Sequence, residues 1–486
     1  MRFDQIPSTT RTPGSYGEFD ASGARPGTST KPRHILLLAH KLSAGTAVAA
    51  TPVKLTGGSP QCDTLGGIGS PMSEMGRVIF DVWPDAEVTV IHVAEPSGGA
   101  AAAGSLVWTG TATADGTISL YVAGRLLEVD VLSGDTHTAI ATAVYNAINA
   151  DTRMPISATN GTAGTTTLAA KWKGTSGNDI LVELNRLSTQ ALPAGISCAV
   201  TTMASGSGVP QAAAAIAAIP DDSYDRIVSQ WNDDTTMDLL EAEARTRWGA
   251  MVQLDAIVHA GWRGAYSDAA TYGAARNCEL STVACIEKSP TAPWIAAANY
   301  AAVAATETDP ARPLNTLAMK HVVAPKVSER YTRTERNELL HTGMTTIKVD
   351  ASDVVRIERA VTTYQTNSSS LDDDTYLDIT TPQTLAYMRW DVNRLAATKY
   401  PRHKLADDGT RASPDQPVIT PTIWRGEIIT LAESWERDGL LEDFDTFREA
   451  VTVERNDTDP NRLDTFLPPN LVNGAHVFAS KYGFIL

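Results

Sequence analysis

The sequence lacks most of the patterns that catalysis or cofactor binding needs. Its four cysteines, Cys62, Cys198, Cys278 and Cys285, are widely spaced and form no C-x-x-C pair. That argues against a zinc site or a disulfide framework and predicts buried free thiols. The nine histidines show neither H-x-x-x-H nor H-E-x-x-H spacing. His34 and His92 sit in strand-like runs and are expected to be packed core residues. No G-x-S-x-G elbow occurs. The Gly66-Gly67-Ile68-Gly69-Ser70 turn is neither a dinucleotide fingerprint nor a phosphate loop, so it reads as a plain turn. No catalytic, metal or cofactor-binding residue is expected.

Basic charge is also short. Lys and Arg number 40 against 56 Asp and Glu, a net charge of −16. A nucleic-acid partner needs a basic face, so none is expected. The apolar runs, Ile35–Ala39 and the weaker Ala212–Ile219, are far too short to span a bilayer, and Met1–Pro7 has no apolar signal core. A cytoplasmic protein, released only by lysis, is predicted.

What remains is ordinary globular composition, 43% hydrophobic and 20% charged, over 486 residues. That length suggests two to four domains. Residues 1–30 are rich in Pro, Gly, Ser and Thr and read as an extended arm. Tyr16, Glu18, Phe19 and Asp20 form a short edge-strand candidate within it. Residues 31–97 read as α/β, with strands at His34–Ala39 and Glu87–Val93 around a helix carrying Met75, Val78, Ile79 and Val82. A composition shift at Gly98-Gly99 opens a β-rich insert, 98–208, closed by Ser205-Gly206-Ser207-Gly208. From 209 to 395 strands and helices alternate again, which predicts a parallel or mixed sheet with helices on its faces. Residues 396–470 make a C-terminal core whose main helix carries Trp424, Ile428, Leu431 and Trp435. The fold class is therefore α/β with α+β character, multidomain, with extended terminal arms.

Three surface features stand out. Asp372-Asp373-Asp374 lacks the ligand series of a calcium loop and reads as solvated charge. The Pro401–Arg411 loop concentrates Arg402, His403, Lys404, Asp407, Asp408 and Arg411. It offers either local ion pairs or a contact between subunits. The segment 471–486 is the third. Phe478, Ser480, Tyr482, Phe484 and Leu486 recur at a period of two, a strand signal set off from the body by Phe466-Leu467-Pro468-Pro469-Asn470. Such a strand must pair with an edge of its own chain or of another copy.

Several segments in order resemble the contractile-tail sheath proteins of Mu-like bacteriophages. They are Ile6-Pro7 with Pro13-Gly14, Ser289–Trp294, Asp309–Leu314, Glu335-Arg336-Asn337, Arg356–Arg359 with Thr362–Gln365, Tyr376-Leu377-Asp378, Pro401–Arg411, and Val453–Asn456 with Asp459–Arg462. The likeness spans nearly the whole chain and is weakest in 98–208. It implies a non-enzymatic subunit that stacks with itself in hexameric rings, wound helically around a tail tube, with baseplate and tail terminator proteins as further partners. It also implies that terminal arms add strands to neighbouring subunits, and that the tail forms in the host cytoplasm and contracts without a nucleotide. Glu427, Glu433, Arg437, Glu442 and Asp443 are expected either to face the tube or simply to face solvent. A headless injection device shares this reading. An α/β enzyme or carbohydrate-binding protein is the rival class.

Overall fold

The computed structural model describes residues 31–411, 413 and 415–485. The expected N-terminal arm, with Tyr16, Glu18, Phe19 and Asp20, lies outside them, as does Leu486. The chain begins its body with β1 (His34–Ala39), β2 (Pro52–Lys54), α1 (Gly58–Gly66), α2 (Pro71–Val82) and β3 (Glu87–His92). Pro71 opens α2, and the Ser70 hydroxyl accepts from the Ser73 amide, which fixes where that helix starts.

The next segment builds β4 (Ala101–Gly110), β5 (Gly116–Val122), β6 (Arg125–Val131), α3 (His137–Ala150), β7 (Ile156–Asn160), β8 (Thr165–Lys173), β9 (Val182–Leu184) and β10 (Ile196–Ala204). These strands form an antiparallel sheet β10-β4-β8-β7 and a smaller one β6-β5-β9. The Thr136 hydroxyl caps α3. The connections into and out of this segment run side by side, with Ala100 and Ser207 exchanging both backbone hydrogen bonds at 3.1 Å.

The body resumes with α4 (Ala212–Ala217), β11 (Arg226–Ser229), α5 (Asp234–Trp248), β12 (Ile257–Trp262), α6 (Tyr266–Ala274), β13 (Ser281–Cys285), α7 (Pro293–Thr306), β14 (Ala318–Val323), α8 (Arg333–His341), β15 (Met344–Val349) and β16 (Val354–Arg359). One nine-stranded sheet results, in the order β14-β16-β15-β13-β12-β11-β1-β3-β2. The six strands from β15 to β3 are parallel, and antiparallel strands close both edges. Both faces of the parallel part are covered, so β1 is buried along its whole length. Leu36, Leu38, Ile227 and Val258 pack toward α4, α5, α6 and α8, while Ile35, Leu37, Val88 and Val90 pack toward α2 and α7. Alanine-rich α7 lies so close to the sheet that a Cβ on Gly261 would sit 2.0 Å from the Pro293 carbonyl oxygen. Only glycine fits beneath that helix start.

The last part comprises α9 (Thr380–Lys399), β17 (Lys404–Leu405), β18 (Val418–Ile419), α10 (Pro421–Arg437), β19 (Leu441–Glu442), α11 (Phe444–Ala450), β20 (Thr452–Arg455), β21 (Leu463–Phe466) and β22 (Asn470–Leu471). Trp424, Ile428 and Trp435 of α10 share a core with Met388, Phe447 and Val451. The Trp435 indole donates to Asp391, tying α10 to α9. Helix α9 runs unbroken through 395, so the expected division there falls inside a helix.

The β-rich segment is fastened to the body at several places, among them Glu183, which pairs with Lys326 at 2.7 Å. Arg153 pairs with Asp63 at 2.7 Å and Glu74 at 2.8 Å. Trp172 meets Trp294 edge-on, ring centroids 5.5 Å apart. Ser176 accepts from the Trp172 indole and from Gln230, just past β11, while Arg263, just past β12, donates to the Asp179 carbonyl. The carboxyl ends of parallel strands are where α/β sheets ordinarily bind ligands. Here the segment's own residues contact that rim.

Cys62, Cys278 and Cys285 are buried free thiols, and burial pushes each up to about 12. Cys198 departs from expectation by being partly exposed, because the face of β10 that carries Ile196, Cys198 and Val200 is only half-covered. His34 is buried and bonds Thr89 at 2.9 Å, and His92 accepts from the Lys41 amide at 3.3 Å. Among the described residues no helix is long and apolar enough to cross a membrane, and no cluster of three metal-ligating side chains forms.

Glu287 follows β13 and is buried, with φ of 55° and no hydrogen-bond partner for Oε2. Burial pushes its carboxyl up to about 7, against a backbone hydrogen bond from Tyr331 and the attraction of Arg336 and Arg330. The folded chain therefore keeps a proton that the unfolded chain loses above about 4.5. The stability this group confers is whole below that pH and is lost as pH rises to 7. Glu287→Gln is expected to raise unfolding stability at pH 8 by up to about 3 kcal/mol, with the gain vanishing near pH 4.5. Unfolding of unassembled subunits across that range measures it, and a pH-independent difference would contradict the assignment.

Candidate assembly surface

The C-terminal part of the body offers short sheets with open edges. Among the described residues β20 and β21 pair only with each other, antiparallel, and β19 and β22 do the same. Side chains along β20 alternate between exposed and half-buried, as on a sheet with one wet face. Among the described residues no further strand pairs with the outer edges of either two-stranded sheet.

The chain leaves β22 through the Val472 amide, which donates to the Leu440 carbonyl at 3.2 Å. Beyond it, the expected strand over 471–486 reduces to β22, and no strand occurs in 472–485. The physical reason is pairing, since an alternating segment becomes a strand only when an edge accepts it. Phe478, Tyr482 and Phe484 are 86%, 90% and 84% exposed, and Ser480 is exposed beside them. Among the described residues nothing covers this row of apolar surface.

One contact on this tail was not legible in the sequence. His476 Nδ1 lies 2.9 Å from Asn315 Nδ2, and its Nε2 lies 3.5 Å from Asp378 Oδ1. Arg359 grips the same Asp378 through two hydrogen bonds of 2.9 Å. Burial opposes ionisation of Asp378, but the His476 and Arg359 hydrogen bonds outweigh it and hold the carboxyl down at about 2. Asp378 belongs to the Tyr376-Leu377-Asp378 motif, which was the only advance signal.

The Pro401–Arg411 loop is largely committed within the chain. Asp407 accepts from Arg455 of β20 at 2.9 Å, and Asp408 accepts from the Thr422 amide in the first turn of α10. Lys404 donates to Gln416, and the His403 ring packs against Tyr400 at 4.8 Å. Arg402 and Arg411 remain exposed. Glu427 is likewise engaged, by Lys399 at 2.6 Å and by the Tyr400 hydroxyl at 2.8 Å. Glu433, Arg437, Glu442 and Asp443 are exposed on α10, on β19 and at the start of α11.

A family model for the phage tail sheath protein central domain matches residues 205–363, and one for the phage tail sheath C-terminal domain matches 372–483. The Mu-like prophage FluMu tail sheath protein of Haemophilus influenzae is 36% identical over 489 residues, across 100% of both chains. Among solved structures, the sheath tail protein of Desulfitobacterium hafniense is 13% identical with a TM-score of 0.48, covering 94% of this chain and 100% of that one. The helical sheath of the anti-feeding prophage in its contracted state is 11% identical with a TM-score of 0.49, covering 98% and 99%. By the two family matches and the full-length identity to the Haemophilus protein, this chain belongs to the phage tail sheath proteins.

Proposed function

We propose that the chain is the repeating subunit of a contractile sheath. Copies stack in hexameric rings around a tail tube, and a change of packing shortens the stack and drives the tube through the host envelope. The observation that carries this reading is the exposed, alternating tail beyond His476, which pairs with no strand among the described residues. The tail adds a strand to an open edge of a neighbour, of which the β20–β21 pair is the favoured one, through main-chain hydrogen bonds. Head-to-tail contacts of this kind do not close on themselves and so generate a filament. Subunits move as rigid bodies while the tails keep them linked. Assembly takes place in the host cytoplasm, with the baseplate and tail terminator proteins bounding the stack.

The tube contact is assigned to Glu433, Glu442 and Asp443, with Arg437 beside them. Glu427 is left out because Lys399 already neutralises it. An exposed acidic face favours a basic complement on the tube and would act mainly on recognition and rate.

Truncation after His476 keeps β22 and is expected to leave folded, soluble subunits that form no long tubes by negative-stain microscopy. Normal polymers from that variant would remove the arm reading. Glu433→Lys with Asp443→Lys is expected to slow tube-templated assembly on the order of tenfold at low salt, with the deficit shrinking as salt rises. Unchanged templating would assign those charges to solvent alone.

A further inference from the structure

The C-terminal tail changes character at one residue. Up to His476 it is tied to the body; from Val477, which is 83% exposed, it is not. The His476 side chain is only 13% exposed, between Asn315 from the loop before β14 and Asp378 from the loop before α9. The ring sits between the two, with Nδ1 2.9 Å from the Asn315 side-chain nitrogen and Nε2 facing the Asp378 carboxylate across 3.5 Å.

The approach to the seat is shaped as well. A Cβ on Gly474 would lie 2.9 Å from Pro313 Cγ and 2.6 Å from His476 Nε2, so the tail passes Pro313 with no room for a side chain. The seat is rigid from behind, because Arg359 at the end of β16 clamps Asp378. A cavity of about 170 Å³ opens beside His476 and Val477, lined by Arg333, Arg336 and Glu358. Arg336 and Glu358 neutralise each other at 2.8 Å.

We infer that His476 is the fixed hinge of the tail: in the assembled sheath each subunit keeps its own chain through His476 in this seat, and only the ten residues from Val477 onward cross to a neighbour. The inference rests on the strand-exchange reading above and adds where exchange begins. Residues 477–486, when extended, reach about 33 Å, so an edge that pairs with them lies within that distance of the donor's seat.

The test uses the full chain with Cys198→Ser, Pro313→Cys and Ala475→Cys, joined by a short thiol-reactive cross-linker. Pro313 adjoins Gly474, and Ala475 is exposed, so His476 and its partners stay native. Isolated subunits are expected to give a single-chain cross-link, and adding His476→Ala should cut its rate roughly tenfold by removing the seated contacts. Pre-linked subunits are expected to polymerise as the unlinked ones do, and linking after assembly should again give single chains. A ladder of joined subunits, or pre-linked subunits that fail where unlinked ones polymerise, would overturn the hinge while leaving strand exchange standing. An absent cross-link in isolated subunits, or a rate indifferent to His476→Ala, would overturn the seat itself. If unlinked subunits with both cysteines, or the parent chain, form no polymers, the exchange reading fails, and the single-chain cross-link alone decides the seat.

Discussion

A backbone amide taken out of water needs an acceptor, and this requirement divides the chain into what is finished and what is not. Six parallel strands meet it inside one sheet, with antiparallel strands closing the edges. The β-rich segment meets it with two antiparallel sheets of its own. The C-terminal tail has the side-chain alternation of a strand and no ladder. In a phage tail sheath protein, a chain whose partners are copies of itself, that deficit supports assembly rather than disorder of design.

The interior is arranged to make each subunit stiff. The two crossings at Ala100 and Ser207 are hydrogen-bonded to each other, and the Arg153 ion pairs, the Trp172–Trp294 contact and the Ser176 hydrogen bonds hold the β-rich segment along one side of the sheet. The indole of Trp435 ties α10 to α9 in the same spirit. Under the proposed rigid-body transition, movement between neighbours falls to segments outside these cores.

Much of this was legible in the sequence wherever one period dominates. β1 is a continuous apolar run, α7 an alanine-rich stretch opened by Pro293, and β5 and β6 a short alternating pair around Ala123-Gly124. Elements with weak contrast escaped. Helix α8 buries only Leu339, although its Thr332–Glu335 capping box was present to be read. Strand β14 mixes Lys320 and His321 with apolar residues because it lies at a sheet edge, and β10 is built of small and polar residues that hardly differ between its faces. Strand β12 begins only at Ile257, although Val252 and Leu254 alternate with polar residues ahead of it, because Gln253 adopts a positive φ where the chain turns out of α5. In the assembly surface, the spacing of the tail's aromatics predicted a strand, and in the structure those side chains stand exposed outside any ladder. The seat of His476 was not, since Asn315 lies 161 residues away and no local pattern announces a contact at that separation. The internal pairing of Asp407 and Glu427 was hidden for the same reason.

The paired crossings at Ala100 and Ser207 carry one more consequence. Because the polypeptide enters and exits the β-rich segment through a single doorway, everything between is topologically a closed loop to the sheet. A foreign module could be grafted there without rethreading the fold. It would have to bring its own hydroxyl for Gln230 and its own cation for Asp63 and Glu74, so the doorway is permissive while the walls beside it choose the guest.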